Sequence, residues 1–413
     1  MMKRYIILCL IILPSVQAYG QTNLANYLKI AAEQNPSLKA KFSMYLAELE
    51  KVNQYGSLPD PTVSFGYFIS PVETRVGAQQ FKLSVAQMFP WMGTLKVREQ
   101  AAASMAKVKF EAFQEAKAQL FLKVQSKWLA LYELQEEIAT MEVNLEILNS
   151  FEPITKTKYE ANLVSLADLI RVQINIDNAK TQLDISKLKQ KPLLADFNTM
   201  LNRPLTVEVL LTDVLNTDSH KSISQDSLVN QPRIQKARAN LETISFEDKL
   251  AGLKRKPNIG FGLEYGFISK RQDATVVDNG KDILVPTVTM SLPIFGKKNR
   301  SIKKEVALRK EGFEAELMAI ENETENSWVK ANYEIESAKK ELELYQTETE
   351  KIEVLLSVLT SEYSNNNSDF EVLLSTQQRL LQLQLAKVSA QVKYHNACFK
   401  KEYLTGQTLN QIR

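Results

Sequence analysis

Strict alternation of apolar and polar positions appears in two pairs of short stretches, and nearly everywhere else the apolar residues recur at helical spacing. Over 258–267, Ile259, Phe261, Leu263, Tyr265 and Phe267 fall on one face of a strand, with Asn258, Gly260, Gly262, Glu264 and Gly266 on the other. Over 287–292, Val288, Met290 and Leu292 oppose Thr287, Thr289 and Ser291, so the two runs read as an antiparallel hairpin with a long polar loop. An earlier pair repeats the design: Val63, Phe65, Tyr67 and Ile69 oppose Thr62, Ser64 and Gly66, and over 80–88 Phe81, Leu83 and Val85 oppose Lys82, Ser84 and Ala86. A hairpin with one wholly apolar face needs a partner sheet or lipid. The chain supplies few strands for a partner sheet, and alternation over about 10 residues suits a transmembrane barrel strand.

The long segments between hairpins carry heptads. Phe110, Val124, Leu131, Ile138 and Leu145 occupy one seam position and Phe113, Leu120, Leu134, Met141 and Leu148 the other, with Lys117 and Lys127 interrupting. The second segment repeats this with Trp328, Ile335, Leu342 and Leu356 against Ala331, Ala338, Tyr345, Ile352 and Leu359, broken by Thr349. A helix over 95–151 would be roughly 85 Å long, far more than a globular domain needs. Each long helix is expected to turn, at Tyr159 to Asn162 and at Tyr363 to Asn367, with Asn162 and Asn366 as the tip residues, since asparagine tolerates the left-handed conformation that ends a helix. Return helices then run through 166–183 and 370–392.

The two halves match by spacing. Pro36 and Pro232, Pro61 and Pro257, and Gly66 and Gly262 are each 196 positions apart; Pro90 and Gly93 return as Pro293 and Gly296, 203 apart. The chain therefore reads as two copies of one unit. The expected division is a signal peptide over 1–20, a first unit over 21–202, a linker over 203–226 and a second unit over 227–413.

Composition narrows the class. The 413 residues, 44% hydrophobic and 24% charged, describe an ordered protein. Lys3 and Arg4, an apolar run over 5–13 and small residues at Ala18 and Gly20 form a secretory signal, with cleavage near Gln21 or after Ala18. Cys9 in that run lacks the small residues a lipoprotein site needs, so no lipid anchor is expected. Beyond the signal only Cys398 remains, which excludes an internal disulfide. No later stretch is apolar enough for a membrane helix. Loss of Lys3 and Arg4 takes the formal charge from +3 to +1, which gives no case for a nucleic-acid partner. Ten of the 13 glycines lie within 56–93 or 252–296 and none within 94–251, which argues against Rossmann and P-loop domains.

Helix, hairpin, long helix, turn and return helix, twice over behind a signal peptide, resembles the TolC family of outer-membrane efflux proteins. The specific marks are the Phe89-Pro90-Trp91-Met92-Gly93 and Leu292-Pro293-Ile294-Phe295-Gly296 corners and the tyrosine turns before leucine-rich return helices. The resemblance implies an α+β membrane protein: a homotrimer whose long α-helical coiled-coil barrel continues into a twelve-stranded transmembrane β-barrel, with four strands per chain. It implies a passive duct in the outer membrane that extends into the periplasm and works with a periplasmic adaptor protein and an inner-membrane pump. The corner with Gln87, Pro90 and Gly93 is more like the cation-efflux branch than the drug-export branch. Asn162 and Asn366, where the family usually has glycine, and Pro153 and Pro192, near regions it often keeps helical, are departures that bear on tip geometry. Heavy-metal cation efflux, drug efflux and type I protein secretion remain open as cargo classes, and a periplasmic coiled-coil scaffold or adhesin is the rival class.

The candidate positions follow. Asp168 and Glu371 begin the return helices, where the family narrows its aperture, so three copies would form carboxylate rings; acids there also simply suit a helix N-terminus. Thr62, Ser64, Glu264, Thr287 and Thr289 are expected to line the barrel lumen, with Phe65, Tyr67, Phe261 and Tyr265 on lipid. Cations over 254–256 and 297–304 mark the periplasmic rim, either solvated or against lipid phosphates. His395 and Cys398 share a helical face that reads as packing. No catalytic triad, carboxylate pair, metal-ligand cluster or phosphate loop stands out, so neither enzyme chemistry nor a cofactor is expected.

Overall fold

The structure, a computed structural model, describes residues 24–211, 215, 223–273, 275–365 and 370–411. The expected signal peptide, Asn366 and Asn367 of the second turn, and part of the expected linker over 203–226 lie outside them. Two short helices, α1 (Leu24–Gln34) and α2 (Pro36–Gly56), precede a hairpin of β1 (Thr62–Thr74) and β2 (Gly77–Phe89). Then come α3 (Thr94–Glu160), α4 (Leu166–Met200), a 3-10 turn at Gln225–Asn230 and α5 (Pro232–Leu253). A second hairpin, β3 (Asn258–Ile268) and β4 (Ile283–Ser291), leads into α6 (Gly296–Ser364) and α7 (Phe370–Leu404). The order helix, hairpin, long helix, return helix thus occurs twice, with long helices of 67 and 69 residues and return helices of 35 each.

At 1.5 Å per residue, α3 and α6 each span roughly 100 Å. They are longer than the sequence pattern foretold because helix continues past the last clear heptad. It also continues through Pro153 in α3 and Pro192 in α4, which forgo one backbone donor each. The seam residues justify the length. Val124, Leu131, Leu134 and Leu148 in α3, and Trp328, Ala331, Ile335, Ala338 and Leu359 in α6, are buried. Lys117 stays in the α3 seam with its ammonium 5.4 Å from the Phe121 ring centroid, and burial lowers its pKa.

Nearer the sheet, α2 packs on α3, α3 on α5 and α5 on α6; at the far end α4 packs on α3, α3 on α7 and α7 on α6. The largest core lies between these tiers, where Tyr27 and Leu28 of α1 meet Phe121, Trp128 and Leu129 of α3, Phe197 of α4 and Val392 of α7. Here the Tyr27 hydroxyl accepts from the backbone N–H of Leu210 at 2.9 Å, and the Asn198 amide donates to the carbonyls of Leu205 and Val207. The segment after α4 is thereby tied to the middle of the helical body.

The four strands form one antiparallel sheet in the order β1-β2-β3-β4. Three strand boundaries differ from the pattern reading by more than one residue; β2 begins at Gly77 rather than Gln80, because Gly77 and Ala78 pair with Thr74 and Glu73 of a longer β1. β1 runs on to Thr74 through an irregularity between Tyr67 and Val72 that accommodates Pro71. β4 begins at Ile283 rather than Thr287, since the ladder to β3 continues through Leu284 and Ile283 opposite Tyr265 and Gly266, with Pro286 inside it opposite Leu263. Proline removes a ladder donor and is tolerated on an edge strand, which is what β4 is within the chain.

Candidate functional site

Pairing across the sheet sorts its side chains into two faces. Phe65, Leu83, Tyr265 and Leu284 form one cross-strand row, and Gln87, Phe261 and Val288 another. On the opposite face Ser64, Ser84, Glu264 and Val285 align, as do Thr62, Ala86, Gly262 and Thr287, and Gly260 with Thr289. The nine barrel residues singled out above therefore separate cleanly, five on the polar face and four on the apolar one. The apolar face is bare: Phe65 is 67% exposed, Tyr67 65%, Phe261 55% and Tyr265 37%.

Glycine explains the shape of the polar face. A Cβ at Gly260 would lie 2.5 Å from Met88 Sδ, and one at Gly262 would lie 2.6 Å from Thr287 Oγ1. Side chains crowd together there, as they do on the concave side of a curling sheet, and only glycine leaves room. Several of the polar groups that remain are paired. The Ser64 and Ser84 hydroxyls are 2.6 Å apart, and Glu264 faces Lys82 at 3.5 Å, a partner the pattern reading did not name.

At the far end, the two helix turns bring the other candidates together. α3 closes with Asn162 at φ 57°, the left-handed conformation expected of it, and the N–H of Leu163 bonds back to the carbonyl of Lys158 at 2.9 Å. α4 opens with a capping box: Asp168 N–H donates to Ser165 Oγ at 3.3 Å, and Ser165 N–H donates to Asp168 Oδ2 at 3.0 Å. Asp168 thus acts as a helix-start acid. Its other oxygen lies 3.5 Å from Arg171 Nη1, which also reaches Glu371 Oε2 at 3.0 Å. Arg171, three residues beyond Asp168 and so on its helical face, joins the two carboxylates and stitches α4 to α7. Its i,i+3 spacing was the signal available in the sequence.

The two tyrosines of the turns are placed differently. Tyr363 is only 3% exposed and packs on Phe370 with ring centroids 5.2 Å apart. Its hydroxyl lies 3.4 Å from Thr155 Oγ1 of α3. Lys158, also of α3, sits over the ring at 4.0 Å from its centroid and donates to the Tyr363 carbonyl. Burial, with a smaller contribution from the charge of Asp168, raises the pKa of the Tyr363 hydroxyl. Tyr159 is 38% exposed. Above Tyr363, Gln377 of α7 donates to Asn144 of α3 at 3.1 Å in a buried setting. Thr155, Lys158, Asn144 and Gln377 were not legible as site residues, because their partners lie more than 200 positions away.

His395 and Cys398 are both buried in α7, and Cys398 packs with Ile335 and Ala338 of α6. No helix among the described residues is long and apolar enough to cross a membrane.

No protein-family model matches this sequence, and no curated protein matches it. Solved structures do. CusC, which forms a transmembrane channel, superposes with a TM-score of 0.78 at 11% identity over 92% of this chain and 91% of its own. The Neisseria gonorrhoeae MtrE outer membrane channel in its open state gives 0.75 at 15% identity over 93% and 88%. The Campylobacter jejuni CmeC outer membrane channel gives 0.73 at 16% over 93% and 85%. At these identities the likeness concerns architecture: the chain has the fold of these outer-membrane channels, the TolC-type fold anticipated from its hairpins and long helices.

Proposed function

We propose that the protein is a passive efflux duct of the outer membrane, a homotrimer that carries substrate received from an inner-membrane pump and its periplasmic adaptor. The observation that carries this reading is the sheet. Its outer strands β1 and β4 are antiparallel to one another in sense, so β4 of one chain can continue the ladder onto β1 of the next. Four strands are too few to close a barrel, whereas three chains supply twelve, an even number that encloses water. The bare aromatic face then meets lipid, and the glycine-lined face with Thr62, Ser64, Glu264, Thr287 and Thr289 surrounds the lumen. The two similar halves are read as copies of one unit, each giving one hairpin and one coiled-coil pair.

The helices extend this barrel into the periplasm. Each tier holds four helices per chain, so three chains wall a tunnel about 100 Å long. An apolar stripe left bare at the tip, Leu163, Leu166, Ile170 and Ile174, offers the surface a neighbouring chain or the adaptor needs. The narrow mouth is assigned to the Asp168–Arg171–Glu371 cluster. Cargo is taken to be a heavy-metal cation or a drug, and no enzymatic step is invoked.

The test is direct. Protein purified in detergent is expected to sediment as a trimer and to give discrete single-channel currents in a planar bilayer. A monomer with no conductance would favour a coiled-coil scaffold and overturn the duct.

A further inference from the structure

We infer that the junction between β4 and α6 holds the headgroup phosphate of an anionic glycerophospholipid in the periplasmic leaflet. The inference rests on the reading above that the apolar sheet face meets lipid, and it names a ligand that reading does not require. The sheet ends, on the side that carries the helices, in Leu292, Ile294 and Phe295, all exposed and continuous with the apolar face. Immediately beyond them Arg255, Arg300 and Lys303, with Pro293, Gly296 and Asn299, line an open cavity of about 410 Å³. Three cations thus converge on one cavity whose lining contains no carboxylate. Like charges gathered this way repel one another unless an anion from outside joins them.

Two further observations point the same way. Segments 252–258 and 291–304 together hold eight lysines and arginines and no acid, whereas the corresponding junction of the first hairpin, 56–62 and 88–101, holds Asp60 and Glu99 with Lys96 and Arg98. A generic rim would be alike on both hairpins; the charge is concentrated on one. The N-terminus of α6 also opens on this cavity at Gly296 without a side-chain cap, so first-turn N–H groups are free to face an anion. An acyl chain leaving the phosphate would lie along Leu292 and Phe295 toward the strands. This placement, headgroup among cations and chains on the apolar face, distinguishes a phospholipid from a free phosphate.

Native mass spectrometry of the full-length, detergent-purified protein tests the inference. With equal amounts of phosphatidylglycerol and phosphatidylcholine added, the protein is expected to retain phosphatidylglycerol preferentially, and Arg255→Gln/Arg300→Gln/Lys303→Gln to lower that preference by about tenfold or more. Lys96→Gln/Arg98→Gln at the other junction is expected to leave it unchanged. Equal retention of both lipids by the unaltered protein overturns the proposal without any variant having to fold, and so does full preference in the triple variant. Displacement of phosphatidylglycerol by millimolar inorganic phosphate would make this a free-anion site and also overturn it. Absence of the protein from the membrane fraction would instead defeat the underlying membrane reading, so the two failures are told apart.

Discussion

The two turns at the far end of the molecule share a sequence pattern and differ in what holds them. Tyr159 closes α3 on the surface, 38% exposed, whereas Tyr363 closes α6 beneath Lys158, against Phe370 and beside Thr155. The end of α6 is therefore latched to the first helical pair. Its tyrosine joins Leu148, Phe151, Val172, Leu359 and Leu373 in the core that binds the four helices at this end. A spacing shared by two segments thus says that they fold alike; which of them carries a constraint is decided by the neighbour each one meets. Tyr363→Ala is expected to break the difference most severely. Loss of a buried aromatic costs about 3 kcal/mol or more, and Tyr159→Ala about 0.5 kcal/mol. Hydrogen exchange should show protection lost over 145–165 and 355–375 in the first variant only; equal loss in both would remove the asymmetry.

The second effect concerns the polar contacts above the turns. The first helical pair is laced by exposed groups, such as Lys187 with Glu142 at 2.7 Å, while the pair formed by α3 and α7 buries Asn144 with Gln377. Exposed pairs contribute about 0–1 kcal/mol, but stranding one member of a buried pair costs about 1–3 kcal/mol. Asn144→Leu is expected to lower the unfolding midpoint in denaturant clearly, and Lys187→Ala barely. The double variant Asn144→Leu/Gln377→Leu should recover most of the loss while weakening the register between α3 and α7. A double variant as unstable as the single one would mean that the pair matters for packing rather than for hydrogen bonding.

These contrasts also mark what could be read from sequence. The hairpins, the long helices and the separation of Ser64, Glu264 and Thr287 from Phe65, Phe261 and Tyr265 followed from period alone, because a strand's face is set by parity. Helix ends and strand ends were less legible. Pro153 and Pro192 stood out as departures that bear on tip geometry, yet α3 and α4 pass through them unbroken, and β4 starts early enough to include Pro286, since tertiary packing and an edge position tolerate one missing donor. At the tip, Asp168 and Glu371 were visible as helix-start acids, but Arg171 as their common partner required α4 and α7 to be placed side by side. Lys158 and Thr155 were invisible for the same reason.

Alkaline pH should sharpen the comparison more gently. Burial raises the Tyr363 pKa above its unfolded value, so the hydroxyl contributes stability that is fully present below about pH 10 and is lost as pH rises through the folded value. Absorbance titration of the tyrosinate band, taken as the difference between the unaltered protein and Tyr363→Phe, should show one residue ionising above the ordinary range. The tip of the Tyr363→Phe variant should loosen less than the unaltered tip between pH 10 and 11, as followed by exchange or by protease access. If Tyr363 ionises at the ordinary value, its ring is not shut away from water.

The smallest effect on stability and the most specific on transport belongs to Asp168, Arg171 and Glu371. All three ion-pair partners are partly solvated, so removing any of them should change stability by about 0–1 kcal/mol. At the narrow mouth proposed above, their field is another matter. Arg171 offsets one of two carboxylates, leaving one net negative charge per chain, so three chains would place a modest negative ring there. Arg171→Gln frees both acids and is expected to raise cation selectivity in a planar bilayer and to strengthen block by multivalent cations. Asp168→Asn/Glu371→Gln should do the reverse, and the asparagine oxygen can still accept the bond that caps α4, so folding is spared. Opposite shifts from the two variants, at equal yield of trimer, would place the mouth at this cluster. Unchanged selectivity and block in both would make Asp168 a capping residue alone and move the narrowest point elsewhere along the helices.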